Sequence, residues 1–333
     1  MLRKLTISEY QTESGKSLKN IPLSYQLFGK DLGSAPIVLV THALTGNSSV
    51  CGESGWWSPL IGFDRCIDLN LVTVLAFDIP GNGYNGFLIK NYQDISSKDV
   101  AQWFLLGLRK LEINSIYAAI GGSLGGKILW QMALLSPSLV QNLIPIATDW
   151  KATDWVIAQC RVQQQILENS INPVCDARIH AMTFYRTAES LKQKFGSTFN
   201  PNESLYNVES WLLHHGEKLK QRFQLQAYKL MNNLLISGLS PTQEEFLEKA
   251  SQIRGNIFLI GIDSDGFYLN QEIVETYLIV KNRKENVFYA EIKSIHGHDA
   301  FLIEYKQLEH ILKPIFSSEL LPKKNNYEHS NIG

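Results

Sequence analysis

Cysteine is scarce in this sequence: four in 333 residues, at Cys51, Cys66, Cys160 and Cys175, with no C-x-x-C spacing. That pattern excludes a zinc ribbon and a disulfide-stapled scaffold, and it suits reduced thiols in a cytoplasmic protein. Neither sign of charge is in excess. With 31 Lys and Arg against 32 Asp and Glu, nothing electrostatic favours nucleic acid or an anionic membrane as partner. No apolar run reaches the length of a bilayer span. The opening "MLRKLTISEY" has two basic residues without an apolar stretch behind them, so a secretory signal is not expected. Internal repeats, low-complexity segments and a phosphate-cradling glycine loop of the nucleotide-binding type are missing as well.

What the sequence does have is alternation. After a β-rich start that includes "IPLSYQLFG", short apolar runs recur: "PIVLV", "LVTVLAFD", "IYAAIGG", "NLIPIAT", "NIFLIGI" and "NVFYAEI". Each reads as a buried strand bounded by turn residues. Helical patterns lie between them. One follows Ser96, where "SSKD" makes a capping-box-like start, and others begin near Leu124, Asn270 and Asp299. Strands alternating with helices predict a mostly parallel α/β sheet with helices on both faces.

The alternation stops over 149–251, which is amphipathic and helical in pattern, then resumes. The expected organisation is therefore a core in two pieces, 1–148 and 252–320, interrupted by a helical lid at 149–251. The polar residues 321–333 read as a flexible tail.

"GGSLGG" places Ser123 among glycines where strand becomes helix. Gly121 to Gly125 fits G-x-S-x-G, a turn that lifts a serine hydroxyl above the sheet at the positive end of a helix. The pattern alone arises by chance in roughly one chain in ten of this length. Its position between "IYAAI" and "KILWQMA" makes it far more specific. A serine at its ordinary pKa also needs a base held by an acid, in the chain order Ser, Asp or Glu, His for this turn. "NIFLIGIDSDGF" supplies Asp263 and Asp265, and "NVFYAEIKSIHGHDAFL" supplies His296 and His298. His298 is preferred because it precedes the helix expected from Asp299, with Gly297 making the bend. Two backbone N–H groups should face the oxyanion: Leu124, after the nucleophile, and Leu44, in the loop after "PIVLV". His42 in that loop reads as loop-shaping rather than catalytic.

Together these residues resemble the homoserine O-acetyltransferase family of the α/β-hydrolase fold. The matching pieces run in order along nearly the whole chain: "TESG", "HALTGNSS", "GWWSPLIG", "GGSLGG", "ARIHAMTFYR", "VESWLLHHGEK", "RFQLQAY", "GIDSD" and "GHDAFLIE". The resemblance implies Ser123 as nucleophile, Asp265 as acid and His298 as base. It also implies Arg178, Tyr185 and Asp299 as residues that hold an amino-acid acceptor. Acetyl-CoA would be a cosubstrate held by shallow lid contacts, with no tightly bound cofactor and no metal. A cytoplasmic homodimer joined through lid helices is the implied assembly. Independently of any family, Arg178 and Tyr185 lie two helical turns apart and share a face. Among its departures from the family, "FDIPGNGYNG" has the D-x-x-G-x-G shape of ordinary α/β-hydrolases. An esterase or thioesterase is therefore the alternative reading, and a non-catalytic ligand-binding protein of this fold is a third.

Overall fold

The computed structural model describes residues 1–238 and 242–317; the tail expected at 321–333 lies outside them. Eight strands form one sheet: β1 (Arg3–Gln11), β2 (Ser17–Gly29), β3 (Ile37–Thr41), β4 (Thr73–Phe77), β5 (Ile116–Gly122), β6 (Val140–Ile146), β7 (Asn256–Ile262) and β8 (Val287–Ile292). Their spatial order is β1-β2-β4-β3-β5-β6-β7-β8. β2 runs antiparallel to β1 and β4, and every other pair is parallel. All the runs picked out in the sequence are strands of this sheet.

Successive side chains in the central strands feed opposite faces, as the pleat requires. Leu39, Leu75 and Ala119 join the core on one face, while Val38, Val40, Val74 and Ala76 join that on the other. The first face is covered by α1 (Ser97–Lys110), α2 (Leu124–Leu135) and α9 (Asn270–Lys281), the second by α10 (Tyr305–Phe316) and the segment around Trp57. Burial on both sides explains why these strands read as continuous apolar runs without polar alternation.

The Ser96 start is a true capping box. Ser96 Oγ accepts from the Asp99 N–H at 3.1 Å and the Ser96 N–H donates to Asp99 Oδ2 at 2.8 Å. Such a cap is worth about 1 kcal/mol. Asp99 also accepts from Tyr10 Oη and from the Glu13 N–H, both at 2.9 Å, tying the β1–β2 hairpin to α1.

Between β6 and β7 the chain forms α3 (Asp154–Asn169), α4 (Pro173–Tyr185), α5 (Ala188–Phe195), α6 (Asn207–Lys220), α7 (Leu225–Ile236) and α8 (Gln243–Ser251). α8 belongs to the core layer: Phe246 stacks on Trp150 at 4.0 Å and meets Trp130 of α2 at 5.6 Å. The sequence misplaced one helix. The segment Gly297–Leu302 is a 3-10 helix, and the α-helix starts only at Tyr305. The short 3-10 helix puts His298, Ala300 and Phe301 in buried positions beside β5 and β7 before the chain turns outward.

Candidate active site

Ser123 sits at the junction of β5 and α2 with φ 55° and ψ −124°, a conformation that costs a non-glycine residue of order 1–3 kcal/mol. The surroundings enforce it. The Ser123 N–H donates to the Ile146 carbonyl at 2.9 Å, and its carbonyl accepts the first helical bond from Lys127 at 3.1 Å. Its side chain makes no capping bond, so the hydroxyl is left for the cavity. The motif glycines are required by contact: a Cβ on Gly121 would lie 2.0 Å from Thr41 Oγ1, and one on Gly125 would lie 2.4 Å from the Thr41 carbonyl.

The two acid and two histidine candidates separate cleanly. His298 Nδ1 bonds Asp265 Oδ2 at 2.7 Å, and both side chains are buried. The other carboxylate oxygen accepts from the Phe267 and Tyr268 N–H groups at 2.7 and 2.9 Å. An ionised Asp265 therefore takes the Nδ1–H and leaves the Nε2 lone pair free. Rings of Tyr185, Phe267, Tyr268 and Phe301 stand 5.3 to 5.9 Å from the imidazole and fix its plane. Asp263 instead accepts from the Ser294 N–H, and His296 is engaged by Arg186 and Ser190. Gly297 supplies the bend between the histidines at φ +66°.

Ser123 and His298 line one cavity of about 70 Å³, although no hydrogen bond joins their side chains in this structure. Catalytic contacts of this kind often tighten only when substrate is bound. Leu44, Arg178, Tyr185 and Asp299 line the same cavity. Larger clefts of about 410 and 470 Å³ elsewhere have no histidine in their walls. Leu124 is the first residue of α2, so its N–H has no acceptor within the helix.

Arg178 and Tyr185 do share one face of α4, with the guanidinium 5.8 Å from the ring centroid. Burial pushes the Asp299 carboxyl above the usual carboxylate range, opposed by the nearby Arg178, His298 and Arg186. Burial also holds the Tyr185 phenol well above its ordinary value. The cavity thus sets a cation and an acid beside the serine hydroxyl.

His42 is buried. Its Nδ1 faces the Ala43 carbonyl at 2.8 Å and its Nε2 accepts the Ile79 N–H at 3.0 Å, which ties the loop after β3 to the loop after β4. Burial lowers its pKa to about 4, so it is neutral in ordinary buffers. Neighbouring Asp78 accepts from the Ser48 N–H and hydroxyl at 2.7 and 3.0 Å. Sequence reasoning did not find this Asp78–Ser48 link, although the D-x-x-G-x-G stretch that contains Asp78 was the available signal. It also missed Lys127, whose buried ammonium donates to the Leu235 carbonyl and thereby anchors α7 to α2. A lone lysine in the apolar run "GGKILWQMA" marked that position.

The fold and this site define an α/β-hydrolase-type protein. The chain belongs to the alpha/beta hydrolase fold family, which matches residues 36–288. Within that family it is a divergent relative of the homoserine O-acetyltransferases. The enzyme of that name from Moorella thermoacetica is 29% identical across 93% of this chain and 94% of its own length. That from Carboxydothermus hydrogenoformans is 26% identical across 93% of each chain. Among solved structures, homoserine O-acetyltransferase from Staphylococcus aureus aligns with a TM-score of 0.81 at 22% identity over 98% of both chains. Esterase E22 aligns at 0.83 and 14% identity over 95% of this chain and 99% of its own. Likenesses at these identities establish the shared fold.

Proposed function

We propose that the protein is an acyltransferase that moves acetyl from acetyl-CoA to the hydroxyl of L-homoserine through an acetyl-Ser123 intermediate, a step toward methionine. One observation carries the choice of transfer over hydrolysis: Arg178 and Asp299 line the same small cavity as Ser123. A zwitterionic amino acid entering a dry pocket needs a cation for its carboxylate and an anion for its ammonium. Water needs neither.

In the acylation step Ser123 Oγ attacks the thioester carbonyl while His298 Nε2 takes the serine proton. The N–H groups of Leu44 and Leu124 receive the developing oxyanion. Collapse expels the CoA thiolate, which leaves with the proton from His298, and acetyl stays on Ser123. In the second step His298 takes the proton of the homoserine hydroxyl as its oxygen attacks the acetyl-serine. The same proton returns to Ser123 Oγ as the O-acetyl product leaves. Asp265 holds the imidazole tautomer throughout and stabilises the imidazolium.

The test is whether consumption of acetyl-CoA depends on the acceptor. Release of free thiol should rise at least tenfold when L-homoserine is added, and one O-acetylhomoserine should form per thiol. Thiol release that is indifferent to homoserine and yields acetate would overturn transfer in favour of the esterase or thioesterase reading.

A further inference from the structure

The strands that lead to the acid and the base stop pairing before either residue is reached. β7 and β8 run in parallel register as far as Ile262 beside Ile292, and the Asp263 N–H donates to the Ile292 carbonyl at 3.1 Å. Beyond that point two separate turns leave the sheet, one carrying Asp265 and the other His298. Each is supported within itself. Asp265 accepts from the Phe267 and Tyr268 N–H groups, and His298 belongs to the 3-10 helix Gly297–Leu302. Neither support sets the separation of the two turns. Yet the bond from His298 Nδ1 to Asp265 Oδ2 has to close across that gap at 2.7 Å.

Among the described residues, three hydrogen bonds besides the acid–base bond itself cross from 263–269 to 293–302. In one, the Ser294 N–H donates to Asp263 Oδ1 at 2.9 Å. The other two share the Ser264 hydroxyl, which donates to the Ser294 carbonyl and accepts the Gly297 N–H at 3.1 Å. Ser264 immediately precedes Asp265, and Gly297 immediately precedes His298. One hydroxyl therefore ties the neighbour of the acid to the neighbour of the base. Gly297 is buried, so without that oxygen a buried donor loses its acceptor and the turn can relax. Ser294 gives the contrast. Its hydroxyl donates to Glu304 Oε1 at 2.7 Å and accepts the His296 N–H at 3.1 Å, both on its own side of the gap.

We infer that Ser264 is a positioning residue whose hydroxyl clips the acid-bearing turn to the base-bearing turn and so holds His298 within reach of Asp265. This rests on the reading of Asp265 and His298 as acid and base above, and on nothing about donor or acceptor. Asp265 keeps the imidazole in its working tautomer only while the two turns stay in place. A displacement of about 1 Å would stretch their bond beyond hydrogen-bonding range. Misplacement of that size costs on the order of 10² in rate.

The experiment compares Ser264→Ala, Ser264→Cys, Ser264→Thr and Ser294→Ala with the wild type. Three quantities are read: the rate of Ser123 labelling by a fluorophosphonate, kcat and KM for acetyl transfer, and the low-field proton resonance of His298 Nδ1–H. Labelling needs the base but neither donor nor acceptor. Ser264→Ala should label and turn over about ten- to a hundredfold more slowly, with KM within about threefold and the resonance shifted or broadened. Ser264→Cys keeps the volume but offers only a weakly bonding sulfur, so it should fall likewise. Ser264→Thr keeps the hydroxyl and should stay within about threefold of the wild type, as should Ser294→Ala, with the resonance intact in both. Wild-type labelling and resonance in Ser264→Ala or Ser264→Cys overturn the clip. Equal slowing by Ser294→Ala or Ser264→Thr overturns it too, since loop stability alone would then account for the loss. Ser123→Ala and Asp265→Asn in the same labelling assay separate the two failures. Unchanged labelling in those variants overturns the triad and the clip together, whereas lost labelling there with Ser264→Ala unaffected overturns the clip alone.

Discussion

The two halves of this site are built on different terms. On the core side, Ser123, Asp265 and His298 stand at the ends of β5, β7 and β8, and backbone contacts dictate each of them. Gly121 and Gly125 admit the elbow against Thr41, two N–H groups hold Asp265, and Gly297 makes the bend before His298. On the lid side, Arg178 and Tyr185 project from α4. On the function proposed above, the core side fixes what chemistry is available, and the lid side chooses the molecules it acts on. A fold shared with esterase E22 and with homoserine O-acetyltransferase at similar TM-scores is what such a division produces.

If that division holds, core-side substitutions should damage every reaction of the enzyme. The largest effect is expected for Ser123→Ala, which keeps a small residue in the elbow and removes the nucleophile. Activity should fall by roughly 10⁶, with no labelling by a fluorophosphonate, because triad members act as a unit. Activity within tenfold of the wild type would mean another nucleophile. Next comes Asp265→Asn, expected to cost on the order of 10⁴ in kcat by presenting the wrong partner to His298 Nδ1. Asp263→Asn should cost far less, since that carboxylate serves the Ser294 N–H. Steady-state rates for the pair decide it, and reversed sensitivities would make Asp263 the acid.

The same division explains what could be read without coordinates. The strands and the elbow were legible because apolar runs buried on both faces, and glycines at forced contacts, leave few other sequences able to fold that way. Choosing Asp265 over Asp263 depended on the resemblance, and His298 was preferred over His296 on the expectation of a helix from Asp299, where the structure has a 3-10 turn. Side-chain direction along an irregular loop follows no fixed period, and only the path of the 3-10 helix at Gly297–Leu302 settles which histidine meets its partner. That path was misread as the start of an α-helix, because "HDAFLIE" has ordinary helical composition and a short 3-10 turn leaves no distinct pattern.

Lid-side substitutions should instead separate the two half-reactions, and Arg178→Lys is the sharpest case. The guanidinium stands over Tyr185, in the cavity with Ser123 and Asp299, where a planar fork can take both oxygens of a carboxylate. Lysine keeps the charge but offers a point donor on a flexible stem, so the bidentate contact is lost. Losing part of a buried charged hydrogen bond costs about 2–5 kcal/mol, enough to slow acceptor attack by more than tenfold. In the proposed mechanism acetylation of Ser123 precedes acceptor binding and makes no use of that contact, so it should change by threefold or less. Rapid-quench measurement of acetyl-enzyme formation, beside steady-state transfer to homoserine, reads the two steps separately. Asp299→Asn should show the same separation through the acceptor ammonium. If both steps fall together, Arg178 supports the catalytic floor and the division between core and lid is wrong at this residue. If neither falls, the acceptor is not held there, and water becomes the better candidate for the second substrate.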